Sequence, residues 1–211
     1  MNMGLFTRGA LSLGTAVATL AVAAVPAQAA TTSVDTSMCT APVLSQPFLS
    51  WQDTNWYALA PGQSTGNFNG AGWKLSGGAK IVKTTLADGT TGSVLDLPSG
   101  SQAVSPTICL TSAYPTARMM VSNLSGSNGG NVGFAVSYAG TSSAVTPLQT
   151  GTFKTTGSQG VAGGWLLSAP SQLQPSTVSG WQPMQVVLTP NGPKKSEFQI
   201  YNFYVDPRMC R

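Results

Sequence analysis

Apolar residues in this chain come in short runs, and each run is cut within a few positions by glycine, proline, serine or asparagine. Segments such as residues 80–84, 93–97, 132–138 and 197–205 alternate apolar with polar side chains or are rich in β-branched and aromatic residues, the pattern of strands. Further strands are expected at 56–59, 73–76, 101–110, 118–123, 148–153, 164–167 and 184–188. No convincing amphipathic helix is visible. That punctuation restricts the fold to many short strands joined by turns. The expectation is an all-β fold, a two-sheet antiparallel β-sandwich of jelly-roll topology. Asp88-Gly89 is a tight-hairpin signal, since both residues tolerate positive φ. Residues 170–183 read as a crossover loop, because their prolines disfavour central strands. No repeat at a fixed period is present, which argues against a propeller or solenoid.

The first 29 residues read as a secretory signal-peptide helix: Arg8 charges a short leading region, residues 10–24 are uncharged and apolar, and Ala27-Gln28-Ala29 is a cleavage site. The apolar stretch is short for a membrane span, and no anchor is expected after cleavage. Residues 30–46 are then an extended leader and residues 47–211 the sandwich domain. The expected location is secreted and extracellular.

Only 8% of the 211 residues are charged, against about 25% in an average soluble protein. Five Trp and five Tyr nonetheless supply enough apolar surface to oppose disorder. The basic residues are isolated apart from Lys194-Lys195, so no stripe for nucleic acid exists. The chain contains no histidine. That removes the commonest general base and the usual metal ligand together. Three cysteines, Cys39, Cys109 and Cys210, suggest one disulfide and one leftover thiol in an exported chain, with three pairings open. At such wide spacings they make a poor zinc set, and neither metal nor cofactor is expected.

Gly62-Gln63-Ser64-Thr65-Gly66 matches the hydrolase nucleophile elbow formally, but without histidine it reads as a turn. No spacing supports a serine–lysine dyad with Lys74, Lys80 or Lys83. Among the six carboxylates, Asp53 with Asp96 is the least implausible pair for glycoside hydrolysis, which needs two across a cleft. The aromatics carry more information. Strict alternation along 197–205 places Tyr201 and Phe203 on one face, where an exposed pair would stack on a pyranose ring. Trp51, Trp56 and Trp181, near expected loops, are the next candidates.

Several blocks carry a resemblance: Cys39 with Pro42, Phe48-Leu49-Ser50-Trp51, Trp56-Tyr57-Ala58-Leu59-Ala60-Pro61-Gly62, Gly72-Trp73-Lys74-Leu75-Ser76-Gly77-Gly78-Ala79, Leu95-Asp96-Leu97-Pro98, Ser105-Pro106-Thr107-Ile108-Cys109 and Tyr204-Val205-Asp206-Pro207. Together they resemble exported actinobacterial jelly-roll proteins without an assigned activity, which are in turn similar to galactose-binding-like carbohydrate-binding modules. The resemblance implies a Cys39–Cys109 disulfide, leaving Cys210 as the extra thiol. It also implies a structural calcium held by two carboxylates, but Asn69 and Asn202 stand at the matching positions, so no calcium is expected. The function implied is a non-catalytic module binding carbohydrate or cell-envelope glycan. The alternative is a structural or assembly component of the cell surface, acting through sheet edges or Cys210, and a carboxylate-based hydrolase is a third reading.

Overall fold

A computed structural model of the chain describes residues 35–111, 116–125, 130–139, 149–153, 164–174 and 180–206. The expected signal peptide and Cys210 lie outside them. In chain order the strands are β1 (Leu44–Ser45), β2 (Tyr57–Leu59), β3 (Gln63–Ser64), β4 (Asn67–Phe68), β5 (Lys74–Ser76), β6 (Lys80–Thr85), β7 (Thr91–Pro98) and β8 (Gln102–Val104). They continue as β9 (Ile108–Leu110), β10 (Thr116–Asn123), β11 (Asn131–Tyr138), β12 (Gln149–Phe153), β13 (Trp165–Leu167), β14 (Ser171–Gln172), β15 (Gln182–Asn191) and β16 (Glu197–Asp206). The one helical element among the described residues is a 3₁₀ turn, Leu49–Trp51. The fold is the expected all-β sandwich of antiparallel sheets, in the jelly-roll class.

An eight-stranded sheet is organised around β16. One side of β16 pairs with β10 along most of its length, and the other side is shared between β7, at Glu197 to Ile200, and β2, at Tyr204 and Val205. The change of partner falls at Asn202, which is left-handed at φ 52° and accompanies a register shift against Arg118 and Met120. Asparagine tolerates that conformation better than most residues, and one extra residue there makes a β-bulge. The six-stranded sheet runs β12-β11-β15-β8-β5, with β9 also on β15. Between the sheets, Phe134, Val136, Val186 and Leu188 meet Phe198, Ile200, Phe203 and Val205 in the main core.

The eight-stranded sheet buries its outer face as well. Phe48, Tyr57, Leu86, Val94, Met120, Tyr201 and Tyr204 form a second cluster there. The cover is the chain segment before β2. Phe48 drops between Tyr57 and Tyr204 with edge-on ring contacts at 5.1 and 5.4 Å between centroids. Cys39 is bonded to Cys109, with Cα atoms 5.6 Å apart, and β1 pairs with β2. The leader is thus stitched to both sheets.

Three local expectations are refined. In the β6–β7 hairpin only Gly89 is left-handed; Asp88 acts through its carboxylate, which accepts hydrogen bonds from the Thr90 amide at 2.9 Å and hydroxyl at 2.7 Å. Residues 170–183 are not wholly loop. Ser171–Gln172 adds β14 to β10, and Pro183 sits inside β15 opposite Cys109, its carbonyl accepting the Ala139 N–H at 2.8 Å. Proline stands there one residue into β15, at the start of the strand, where a missing N–H donor is tolerated. The Gly62–Gly66 stretch is the β3–β4 hairpin, with left-handed Gly62 and Gly66 and no helix after it.

Candidate functional site

A cleft of about 710 Å³ opens on the outer face of the eight-stranded sheet. Its floor is Met120 of β10 with Tyr201 and Asn202 of β16. Pro47, Phe48, Ser50 and Trp51 form one wall, the tip of the β6–β7 hairpin from Leu86 to Thr91 forms another, and Thr65, Gly66 and Asn67 of the β3–β4 turn close it. A Cβ at Gly92 would run into the Gly66 carbonyl oxygen and the Leu86 side chain, so a glycine is what lets the hairpin approach the turn.

Each wall is fixed from behind. Beneath the Trp51 wall, Asp53 is buried and accepts hydrogen bonds from the Tyr57 hydroxyl, from the Asn55 amide and side chain, and from the Arg118 guanidinium. Burial pushes the Asp53 carboxyl upward, but Tyr57, Asn55 and Arg118 outweigh it and hold the pKa below the usual 3.8. Arg118 also donates from Nε to the Ser168 carbonyl at 2.9 Å and lies 6.0 Å from the centre of the Phe48 ring. Behind the hairpin wall, Trp165 stands edge-on to Tyr201 at 4.7 Å and donates its indole N–H to the Thr85 carbonyl at 2.8 Å.

The sequence-named aromatics separate here. Tyr201 and Phe203 do not share a face, because the bulge at Asn202 breaks the alternation between them. Phe198 and Ile200 before it, and Phe203 and Val205 after it, all enter the main core, whereas Tyr201 and Tyr204 belong to the outer cluster. Phe203 is 0% exposed and offers a ligand nothing. Tyr201, 5% exposed, survives only as cleft floor. Trp51 is 40% exposed and stands in the cleft wall. Trp56 is 39% exposed but does not line the cleft, and Trp181 is half-buried next to β15 in the other sheet. The five residues therefore do not form one site.

Alternation also failed to show the polar lining. Asn202 Oδ1 accepts the Gly66 N–H at 2.8 Å, and Asn67 Oδ1 accepts the Ser93 N–H at 3.1 Å. Asn202 follows Tyr201 in a strand where a hydrophobe would be ordinary, and that oddity was the available signal, whereas Asn67 directly after Gly66 reads only as turn. At the positions where the resemblance implies calcium ligands, Asn69 Oδ1 is spent on the Ala71 N–H at 2.9 Å and Asn202 Oδ1 on Gly66. This pair does not fit the ion, which wants charged oxygens.

The cleft holds one carboxylate among its described lining residues, Asp88, whose pKa is lowered by the Thr90 hydroxyl and amide. Asp53 and Asp96 are not brought together: Asp53 is paired with Arg118, and Asp96 lies 3.7 Å from Lys80. Asp96 instead meets Glu197, whose pKa is raised by burial first and then by the Asp96 charge and hydrogen bond. What the cleft offers is a rigid wall with an exposed indole and a set of hydroxyl and amide groups.

No protein-family model and no curated protein matches this sequence. Among solved structures it is similar to the CBM22-1 xylan-binding domain from Paenibacillus barcinonensis Xyn10C, with 13% identity over 72% of this chain and 94% of that one, at a TM-score of 0.44. A family 6 carbohydrate-binding module shares 16% identity over 64% and 87% of the two chains, with a TM-score of 0.40. TmCBM61, solved with β-1,4-galactotriose, shares 15% over 68% and 92%, with a TM-score of 0.36. These structural neighbours are carbohydrate-binding modules.

Proposed function

We propose that this chain is a secreted, non-catalytic module that binds carbohydrate in the cleft between Trp51 and the β6–β7 hairpin. The observation that carries the reading is the exposed Trp51 indole in a cleft whose polar lining includes Ser50, Thr65, Asn67, Thr90, Thr91 and Asn202. An aromatic face takes the apolar side of a pyranose, and hydroxyl and amide groups serve its ring hydroxyls. The preformed walls keep the ordering cost of binding low. Export is supported by the signal-like first 29 residues and by a disulfide that an oxidising compartment would preserve.

Affinity electrophoresis against a panel of soluble polysaccharides, followed by calorimetric titration, tests the reading. Retardation by at least one glycan is expected, with Trp51→Ala weakening it by about tenfold, the equivalent of about 1.4 kcal/mol for a lost aromatic contact. Full-strength binding by the Trp51→Ala variant sinks the proposal.

A second reading, surface assembly, draws on a different observation. β1 lies at an edge of the eight-stranded sheet, and around it Met38 is 65% and Val43 91% exposed. Exposed apolar edges invite strand pairing between chains. Sedimentation of the folded protein across a concentration series separates the readings, because assembly predicts oligomers whether or not glycan is present.

A further inference from the structure

Beside the hydroxyls of Ser50, Thr65, Thr90 and Thr91, which can give or accept, the cleft carries three polar groups whose hydrogen bonds fix what they can still offer. A backbone N–H can be met only by an oxygen, so the bonds from Ser93 and Gly66 fix the orientation of both carboxamides: the Oδ1 atoms of Asn67 and Asn202 are occupied and the Nδ2 groups remain as donors. The Tyr201 hydroxyl accepts the Ala87 N–H at 3.3 Å, which leaves its own proton to give. Burial, above all, raises the Tyr201 pKa, so that proton stays on. All three residues line the cleft, and two of them form its floor.

Such a donor set is used fully by a group that only accepts. A carboxylate would serve, but Asp88 stands ionised in the same cleft and opposes a second negative charge. A neutral acyl carbonyl meets the donors without that conflict, and an amide N–H beside it would find an acceptor in the Asp88 carboxylate. The methyl of an acetyl group needs an apolar seat, which Leu86 of the hairpin wall and Met120 of the floor provide.

Resting on the carbohydrate-binding reading above, we propose that the cleft selects an N-acetylated hexosamine, with the acetamido carbonyl held by the Nδ2 groups of Asn67 and Asn202 and the methyl on Leu86 and Met120. Trp51 stacks on the ring that carries it. Plain hexoses leave the donors and the apolar seat half-used, and a free amino sugar has neither the carbonyl to meet those donors nor the methyl to fill the seat.

Calorimetric titration with three β-1,4-linked trimers tests the choice: N-acetylglucosamine, glucosamine and glucose. The acetylated trimer is expected to bind about tenfold tighter than the glucose trimer, the size of one good buried hydrogen bond plus a seated methyl. Asn67→Asp keeps the oxygen that meets Ser93 but replaces the Nδ2 donor, and it should abolish that preference by lowering the affinity for the acetylated trimer more than that for the glucose trimer. Asn202→Asp makes the same exchange at the floor, and a thermal melt of each variant establishes that the domain is folded. Equal affinity for the acetylated and plain trimers, or an undiminished preference in both folded variants, overturns the acetamido assignment and leaves the carbohydrate reading standing. Tightest binding of the glucosamine trimer also overturns it, transferring selectivity to Asp88. If none of the trimers binds and no polysaccharide retards the protein, the carbohydrate reading itself falls.

Discussion

Replacing Arg118 with methionine should loosen the covered face of the eight-stranded sheet. Methionine roughly keeps the stem of the side chain, so the variant isolates the guanidinium. Three interactions vanish together: the ion pair with Asp53, the bond to the Ser168 carbonyl and the approach to the Phe48 ring. Removing one partner of a buried pair costs about 3–5 kcal/mol, because the other charge stays buried. The side chains of Arg118 and Asp53 are 16% and 7% exposed, and Asp53 keeps its bonds from Tyr57 and Asn55, so the lower end, about 3 kcal/mol, is expected. Urea unfolding at neutral pH measures it, in a cycle with Asp53→Asn and the double variant, whose coupling should be about 2 kcal/mol. The acid limb gives an independent check. A carboxyl held below its usual 3.8 contributes stability that is present above that value and lost as pH falls through the lower folded value. The acid limb of Arg118→Met should therefore be shallower than that of the parent. A loss under about 1 kcal/mol, with no coupling in the cycle, would refute the view that this network holds the Trp51 wall in place.

Asn202→Ala should cost about 2 kcal/mol in denaturant, combining left-handed strain with loss of the Gly66 anchor, whereas Asn202→Gly, free of the strain, should cost clearly less. Replacing Cys39 and Cys109 together by alanine removes a cross-link spanning 70 residues and should lower unfolding stability by about 4 kcal/mol, read against the oxidised parent. Glu197 titrates above its usual 4.5 when folded, so its contribution is present below that pH and lost as pH rises through the folded value. Glu197→Gln should flatten that part of the stability profile, and an unchanged slope would mean that the contact with Asp96 does not form.

Alternation and β-branched content located the longer strands, because a strand with one face in a core must repeat every second residue. The two-residue strands β1, β3, β4 and β14 left no such trace, being too short to show a period. The phase of β16 was misjudged for a related reason. Alternation is blind to an inserted residue, and only the polar Asn202 amid Tyr201 and Phe203 marked the break. Trp51 could be picked out as an aromatic near a loop, but the cleft could not. It exists because residues 47–51 fold over a sheet face assembled from β10 and β16, and nothing local to any of these segments says which face will be covered.

The position of β16 bears on how such a chain can be delivered. It is the last strand of the described chain and also the seam that joins β2, β7 and β10. A chain emerging N-terminus first, from a ribosome or through a membrane channel, presents the early strands long before the piece that unites them. Until β16 follows, β2 has only β1 beside it and β7 only β6, and two-stranded ribbons of that size have little stability of their own. The sheet closes only when β16 has followed the strands it joins, in a step dominated by contacts distant in sequence. Removing the far end of β16 therefore strips β2 and the start of β10 of their partner at once, although β7 keeps its own.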